Sequence, residues 1–252
     1  MQRSELEAYL NEVLQPHLIK DFCPNGLQIQ GSEQVNKIVT GVTATEALID
    51  AAIEQGADTL LVHHGYFWKS ENPTITGMKY NRIKKLLDHN INLFAYHLPL
   101  DVHPELGNNA QLAKRLEIEN VLPLESNNPQ SVVVRGELAE PISASKFAQV
   151  ISTSLARSCL HISSPDNKDI KTVAWCTGGG QGYIELAAQA GVDAFISGEA
   201  SEQTTHVARE MNIHFFAAGH HATERYGAKA LGEHLKTKFN LSVDFVDIDN
   251  PV

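Results

Sequence analysis

The sequence predicts an α/β fold made of two similar α/β lobes, related by an internal duplication, with a metal cleft between them. Apolar runs of strand length alternate with helical patterns along the chain, as in parallel crossover units. The same order of strand, helix and strand occurs twice, over residues 35–65 and 171–200. Histidines and carboxylates follow the predicted strands of both copies, where open α/β sheets bind ligands.

The first lobe begins with a helix and continues as a crossover unit. Ser4 is the expected N-cap of the opening helix, because leucines follow it at helical spacing. A strand over residues 37–40 leads into a second helix. Thr43 and Glu46, three residues apart, resemble a capping box at the start of that helix. A buried strand over residues 59–62 follows.

The evidence for duplication is the similarity of two blocks in the same order. EQGADTLLV corresponds to QAGVDAFIS, and NINLFAYH corresponds to NIHFFAAGHH. The alternative is that unrelated crossover units share this general pattern. The Asn- and Pro-rich stretch ESNNPQ is a candidate boundary between lobes. We therefore predict an N-terminal lobe over residues 1–125 and a C-terminal lobe over residues 126–252, with ligands from both.

Composition and charge restrict the protein class. The formal net charge of -10 disfavours a broad surface for nucleic acid or anionic membranes. No apolar run approaches the ~18 residues of a spanning helix, and the N-terminus lacks a signal-peptide core. The three cysteines are widely spaced without a CxxC pair, which fits reduced thiols. We expect a cytoplasmic protein without membrane association or a nucleic-acid partner.

Candidate metal ligands follow three predicted strands. They are His63, His64, His97, Asp101, His220 and Glu224. A mixed set of imidazoles and carboxylates suits Zn, Fe, Mn or Ni better than Mg or Ca. Because neighbouring strand residues point to opposite sides, His63 and His64 suit two adjacent ions if the backbone turns at Gly65. A carboxylate can bridge two ions, so the pattern predicts a two-metal centre. The alternative for any lone histidine is a structural role.

Three further features allow two interpretations each. The segment CTGGGQG, residues 176–182, is either a tight turn or a backbone contact for an anion such as phosphate. Glu199 is either an acid that supports a metal ligand or a helix-start residue. Trp68 and its neighbours Tyr66 and Phe67 either wall a pocket for a planar base or pack internally.

The motifs LLVHHGYFW, HLPLDVHPELGNNAQLA, AAGHHATE and PNGLQIQG resemble the Nif-three-like family, also named GTP cyclohydrolase 1 type 2 homologues. The resemblance is to bacterial dinuclear-metal members and covers essentially the whole chain. It implies two divalent metal ions per subunit and a toroidal homohexamer. It also implies metal ligands at His63, His64, His97, Asp101, His220 and Glu224. Glu224 is the expected bridge between the ions and the expected catalytic residue.

The family name implies a metal-dependent hydrolase that opens a purine nucleotide ring, as in GTP, by attack of metal-bound hydroxide, with release of formate. The alternative is a non-enzymatic metal-binding, metal-delivery or scaffold protein, which predicts exchangeable ions without turnover. A ring that encircles nucleic acid is disfavoured by the acidic charge. The ligand set leaves the choice among Fe, Zn, Mn and Ni open.

Overall fold

A computed structural model describes all 252 residues of the chain. It contains two compact units, one formed by residues 1–107 and 227–249 and the other by residues 108–226 and 250–252. The predicted boundary lies after residue 125, whereas these units divide the chain after residues 107 and 226. The division after residue 107 arises because Ile118–Pro123 pairs with Val134–Ile142 of the second unit. The division after residue 226 arises because a late strand, Ser242–Phe245, pairs with Lys37–Thr43 of the first unit. Neither pairing is visible in local sequence patterns.

The first unit contains a five-stranded sheet. Its strands are β1 (Gly26–Ile29), β2 (Lys37–Thr43), β3 (Thr59–His64), β4 (Asn92–Ala95) and β11 (Ser242–Phe245). The sheet order is β1-β4-β3-β2-β11, and every pair is parallel except β1 with β4. The helices are α1 (Arg3–Leu14), α2 (Glu46–Glu54), α3 (Gly77–Asp88), α4 (Leu98–Val102) and most of α9 (His220–Phe239).

The second unit contains a six-stranded sheet. Its strands are β5 (Ile118–Pro123), β6 (Val134–Ile142), β7 (Leu160–Ile162), β8 (Ile170–Cys176), β9 (Ala194–Ser197) and β10 (His214–Ala217). The sheet order is β5-β6-β8-β9-β10-β7. The helices are α5 (Asn108–Leu116), α6 (Ala144–Ser154), α7 (Ile184–Gln189), α8 (Glu202–Glu210) and the first turns of α9.

The two sheets repeat one arrangement of strands. In the first sheet β2, β3 and β4 lie side by side and parallel, and β1 runs antiparallel beside β4. In the second sheet β8, β9 and β10 do the same, and β7 runs antiparallel beside β10. The α/β prediction with two similar lobes is therefore confirmed. The sheets differ at the other side, where β11 is parallel to β2 and β6 is antiparallel to β8.

Each unit buries its own apolar clusters. Helix α2 places Leu48, Ile49 and Ala52 on one face, at helical spacing, and this face packs on the first sheet. In the second unit Phe147 of α6 packs edge-on against Phe216 of β10, with ring centroids 5.3 Å apart. Burying a side chain of this size stabilises the fold by roughly 1.5–3 kcal/mol.

Two helix starts differ from the sequence prediction. Gln2, not Ser4, is the N-cap of α1. Thr45, not Thr43, caps α2, and its hydroxyl accepts a hydrogen bond from the Leu48 backbone N–H. The N-cap of α2 lies later than predicted because β2 continues through Thr43 before the chain turns. None of the helices combines the length and apolar character that a membrane crossing requires.

Candidate metal centre

Strand β3 ends in the two neighbouring histidines. It runs two residues further than predicted, so His63 and His64 both belong to it. His63 is fully buried and His64 is half-buried, and their ring centroids lie 4.5 Å apart. The chain turns at Gly65, where a Cβ would stand 2.6 Å from the Cβ of Ala95, an atom that has no side-chain freedom to move away. Glycine is needed here for close packing.

The protein engages the Nδ1 atom of each candidate histidine in the first unit. The partners are the Tyr96 carbonyl oxygen for His63 at 3.0 Å, Thr43 Oγ1 for His64 at 3.1 Å, and Asp21 Oδ1 for His97 at 2.7 Å. A carbonyl or carboxylate partner accepts the Nδ1–H, so Nε2 of His63 and of His97 remains as the ligand atom. Metal-binding histidines in proteins show this pattern.

The four candidates of the first unit lie in one cluster. The ligand atoms of His63, His64 and His97 all lie within 4.8 Å of one another. Asp101, on α4, is buried and places Oδ1 3.5 Å from His63 Nε2. Donor atoms that share one tetrahedral ion at about 2.0–2.2 Å lie roughly 3.4 Å apart. The spacing of His63 and Asp101 therefore suits a shared ion.

The two candidates of the second unit lie one turn apart on α9. His220 Nε2 is 3.1 Å from Glu224 Oε2, and Glu224 is 2% exposed. His220 Nδ1 donates to Glu199 Oε1 at 2.6 Å. Glu199, which follows β9, is thus the carboxylate partner of His220. His220 thus resembles His63, because in each ring Nδ1 is hydrogen-bonded to the protein and Nε2 lies beside a carboxylate oxygen.

The glycine-rich turn after β8 packs against the Glu224 carboxylate. Gly178 has a φ of +64°, and a Cβ there would stand 1.9 Å from Glu224 Oε1. The Gly178 N–H donates to Thr223 Oγ1 at 3.0 Å, so it is not available to an anion. The segment therefore acts as a tight turn at Gly178.

The carboxylates in the clusters of the first and second units create a negative electrostatic potential, which favours bound cations. Burial alone would lower the pKa of His220, but hydrogen bonds and charge from Glu224 and Glu199 outweigh it and raise that pKa to about 9. Burial alone would raise the pKa of Asp21, but the hydrogen bond and charge of His97 lower it to about 2. A divalent ion would take the place of the proton at His220 Nε2.

Asp21 belongs to the cluster of the first unit but is not among the ligands predicted from the sequence. This residue lies in the loop before CPNGLQIQG, and no strand or helix pattern marks it. Asp21, Cys23 and His97 place donor atoms within 4.8 Å of one another. Burial and the Asp21 charge raise the pKa of the Cys23 thiol to about 12. A thiol is a metal ligand as the thiolate, so Cys23 is a poor donor here.

Among the aromatic residues after β3, Trp68 borders the histidine cluster. Its ring centroid lies 4.9 Å from that of His97 and 5.8 Å from that of His64. Tyr66 is instead buried and donates its hydroxyl hydrogen to the Ala44 carbonyl. Trp68 therefore lies beside candidate ligands, whereas Tyr66 packs internally.

Comparison with known proteins gives matches along the whole chain. The family model Duf34/NIF3 (NGG1p interacting factor 3) matches residues 1–251. A protein of Vibrio cholerae named GTP cyclohydrolase 1 type 2 homolog is 60% identical, and the match covers 100% of each chain.

Two solved structures are also similar. The protein ybgI, described as of unknown function, is 53% identical with a TM-score of 0.95, covering 100% of each chain. The protein TTHA1606 of Thermus thermophilus is 32% identical with a TM-score of 0.89, again covering 100% of each chain.

Proposed function

The chain belongs to the DUF34/NIF3 family, and on this premise we propose that it is a dinuclear metal protein that hydrolyses a purine nucleotide or a similar nitrogen heterocycle. The family resemblance drawn from the motifs is thereby confirmed. The observation that most supports a metal site is the set of histidines whose Nδ1 atoms are engaged by the protein. The reaction class comes from the name of the curated relatives.

The proposed centre uses all six predicted ligands. His63, His64, His97 and Asp101 come from the first unit, and His220 and Glu224 come from the second. We assign Glu224 as the bridge, because a carboxylate has two oxygens for two ions. Four imidazoles and two carboxylates fit Fe, Zn, Mn or Ni. The supply of each metal in the cell then decides which one the centre binds.

Different residues of the chain would position the ligands, stack on the substrate and supply negative charge in the reaction. A bound pair of divalent ions would supply an activated water and would stabilise negative charge. Tyr96 and Asp21 hold the rings of His63 and His97 through their Nδ1 atoms. Trp68, beside His97, offers an aromatic face on which a planar base can stack. Glu224 supplies negative charge in a buried position and is assigned as the residue essential for turnover.

A turnover assay tests this proposal. Protein loaded separately with Fe, Zn, Mn or Ni is incubated with GTP and related nucleotides, and ring opening and formate are measured. We expect metal-dependent formate release that a chelator stops and metal restores. Glu224→Gln should abolish it, whereas Glu233→Gln, an exposed change on the same helix, should not. Intact nucleotides with every metal would contradict the hydrolase assignment.

Metal delivery without turnover is the second candidate. It is favoured by the accessibility of one ligand, because the His220 side chain is 29% exposed. An ion held there could exchange with solvent or with a partner. Rapid exchange of bound ions into a chelator, combined with no change in any nucleotide, would support this function over hydrolysis.

We also propose a toroidal homohexamer in the cytoplasm. The assembly is supported by the family resemblance and by exposed apolar side chains such as Phe22, Met78 and Leu87. The three cysteines form no disulfide with one another, which fits a reducing compartment. Light scattering after gel filtration should give six times the 27.7 kDa mass of one chain. A monomer or dimer would contradict the hexamer.

A further inference from the structure

We infer that Asp21 is a positioning residue of the metal centre, and that its single carboxylate fixes both the ring of His97 and the start of the helix that places Asp101. The inference rests on the proposed metal centre. It adds a residue from a loop that precedes every predicted ligand in the chain. It also links two ligands through one side chain.

Both oxygens of Asp21 accept hydrogen bonds. Oδ1 accepts from His97 Nδ1 at 2.7 Å and from the Phe22 backbone N–H at 2.6 Å. Oδ2 accepts from the Leu98 backbone N–H at 2.9 Å and from Asn25 Nδ2 at 2.9 Å. Asp21 is 8% exposed, so these bonds form away from bulk water. A carboxylate satisfied in this way has a fixed orientation and fixes its donors in turn.

The bond to Leu98 connects Asp21 with the fourth ligand of the first unit. Leu98 is the first residue of α4, and backbone N–H groups at a helix start lack partners within the helix. Asp21 therefore acts as a cap supplied from another part of the chain. Asp101 lies in the same first turn, where its backbone N–H donates to the His97 carbonyl. A change at Asp21 is thus transmitted to His97 directly and to Asp101 through α4.

Asp21 supports a ligand and is not itself one. Asp21, Cys23 and His97 have donor atoms within 4.8 Å of one another, which would allow an ion among them. Such an ion would have to displace N–H donors that already occupy both carboxylate oxygens. His97 also uses the nitrogen that faces Asp21 as a donor, so its ligand atom is Nε2.

The substitution Asp21→Asn separates these roles. An amide has one accepting oxygen and one donating nitrogen, so it can no longer accept at both positions, Oδ1 from His97 Nδ1 and Oδ2 from the Leu98 N–H. Removing a supporting partner of this kind reduces metal affinity by roughly 10–100-fold. The matched control is Asp88→Asn, because Asp88 is an exposed carboxylate paired with Lys84 on α3.

The experiment has two readouts. Zn²⁺ affinity is measured by competition with a chelator, and the His97 tautomer is measured in the metal-free protein by imidazole ¹⁵N NMR, assigned with His97→Gln. We expect Nδ1–H in the wild type, loss of that tautomer preference in Asp21→Asn, and the affinity loss given above. The Asp88→Asn protein should match the wild type in both.

The outcomes are distinguishable from failure of the proposed function. A wild-type protein that binds no Zn²⁺ or other divalent ion would refute the metal centre itself. A wild type that binds Zn²⁺ while folded Asp21→Asn binds it equally would overturn only the role of Asp21. If Asp21→Asn does not fold, the wild-type spectrum still decides, because a predominant Nε2–H tautomer of His97 would overturn the inference.

Discussion

Gly178 lies directly against the carboxylate of Glu224. A Cβ at Gly178 would stand 1.9 Å from Glu224 Oε1 and 3.0 Å from His220 Nε2. The turn therefore has to be glycine for Glu224 to keep its position beside His220. The φ of +64° at Gly178 is a second reason for glycine at this position, since a residue with a side chain is strained at that backbone angle.

Alanine substitutions at three glycines separate two effects: backbone strain at a positive φ, and a steric clash between the new Cβ and a neighbouring side chain. Gly178→Ala introduces both, so we expect a stability loss of about 1–2 kcal/mol or more and metal binding weakened at least about tenfold. Gly191 has a φ of +72° with nothing near its Cβ position, so Gly191→Ala should lose stability only. Gly182 has open space and no positive φ, so Gly182→Ala should change neither.

These variants are compared by urea unfolding and by metal titration. The decisive comparison is Gly178→Ala with Gly191→Ala, because both carry a positive φ. Equal metal affinity in these two proteins would show that the turn does not hold Glu224 in place.

Glu224→Gln tests the assigned bridge. Glutamine keeps the size of the side chain but removes the negative charge in a position that is 2% exposed. We expect one or both ions to be lost after gel filtration, measured as metal per chain by elemental analysis. Glu233→Gln, on the solvent side of α9, should retain them. Full retention of two ions in Glu224→Gln would remove the bridging role.

The surroundings of His161, a residue outside the proposed metal centre, predict that the protein loses stability as the pH falls. Its ring stacks on Phe216 with centroids 4.5 Å apart, and its Nε2 lies 3.2 Å from His214 Nδ1. Burial, followed by the charge of the neighbouring His214, lowers the pKa of His161. The unfolded chain therefore binds a proton at His161 more readily than the folded protein does. The free energy of unfolding includes a contribution from neutral His161 that is fully present above the ordinary pKa of 6.5. That contribution declines as the pH falls below 6.5.

The measurement is the free energy of unfolding in urea at several pH values around that value. His161→Phe keeps an aromatic ring on Phe216 and removes the titration, so stability should fall less steeply with acid than in the wild type. His89→Gln, at an exposed site, should leave the slope unchanged. Identical slopes in wild type and His161→Phe would contradict the assignment of His161.

The strands and the clusters at their ends were predictable because they depend on local patterns. His63 and His64 follow a buried apolar run, and His220 and Glu224 share a helix face at a spacing of four. Asp21 was not predictable in this way. Its partners His97 and Leu98 are 76 and 77 residues away in the chain, and only tertiary structure brings them together.

The differences between prediction and structure have similar causes. The N-cap prediction at Thr43 failed because pairing with β3 extends β2 through that residue, which overrides a local capping signal. The division of the chain differs from the predicted boundary because β5 pairs with β6 of the second sheet and β11 adds to the first sheet beside β2. None of these pairings has a signature within a short stretch of sequence.

The most direct test of the two-metal centre is the number of divalent ions bound to each folded chain, measured by elemental analysis of protein purified without added metal and again after reconstitution. Two ions per chain after reconstitution, removable by a chelator, is the result that the six-ligand centre predicts. A correctly folded protein that retains no divalent ion under any of these conditions would contradict it.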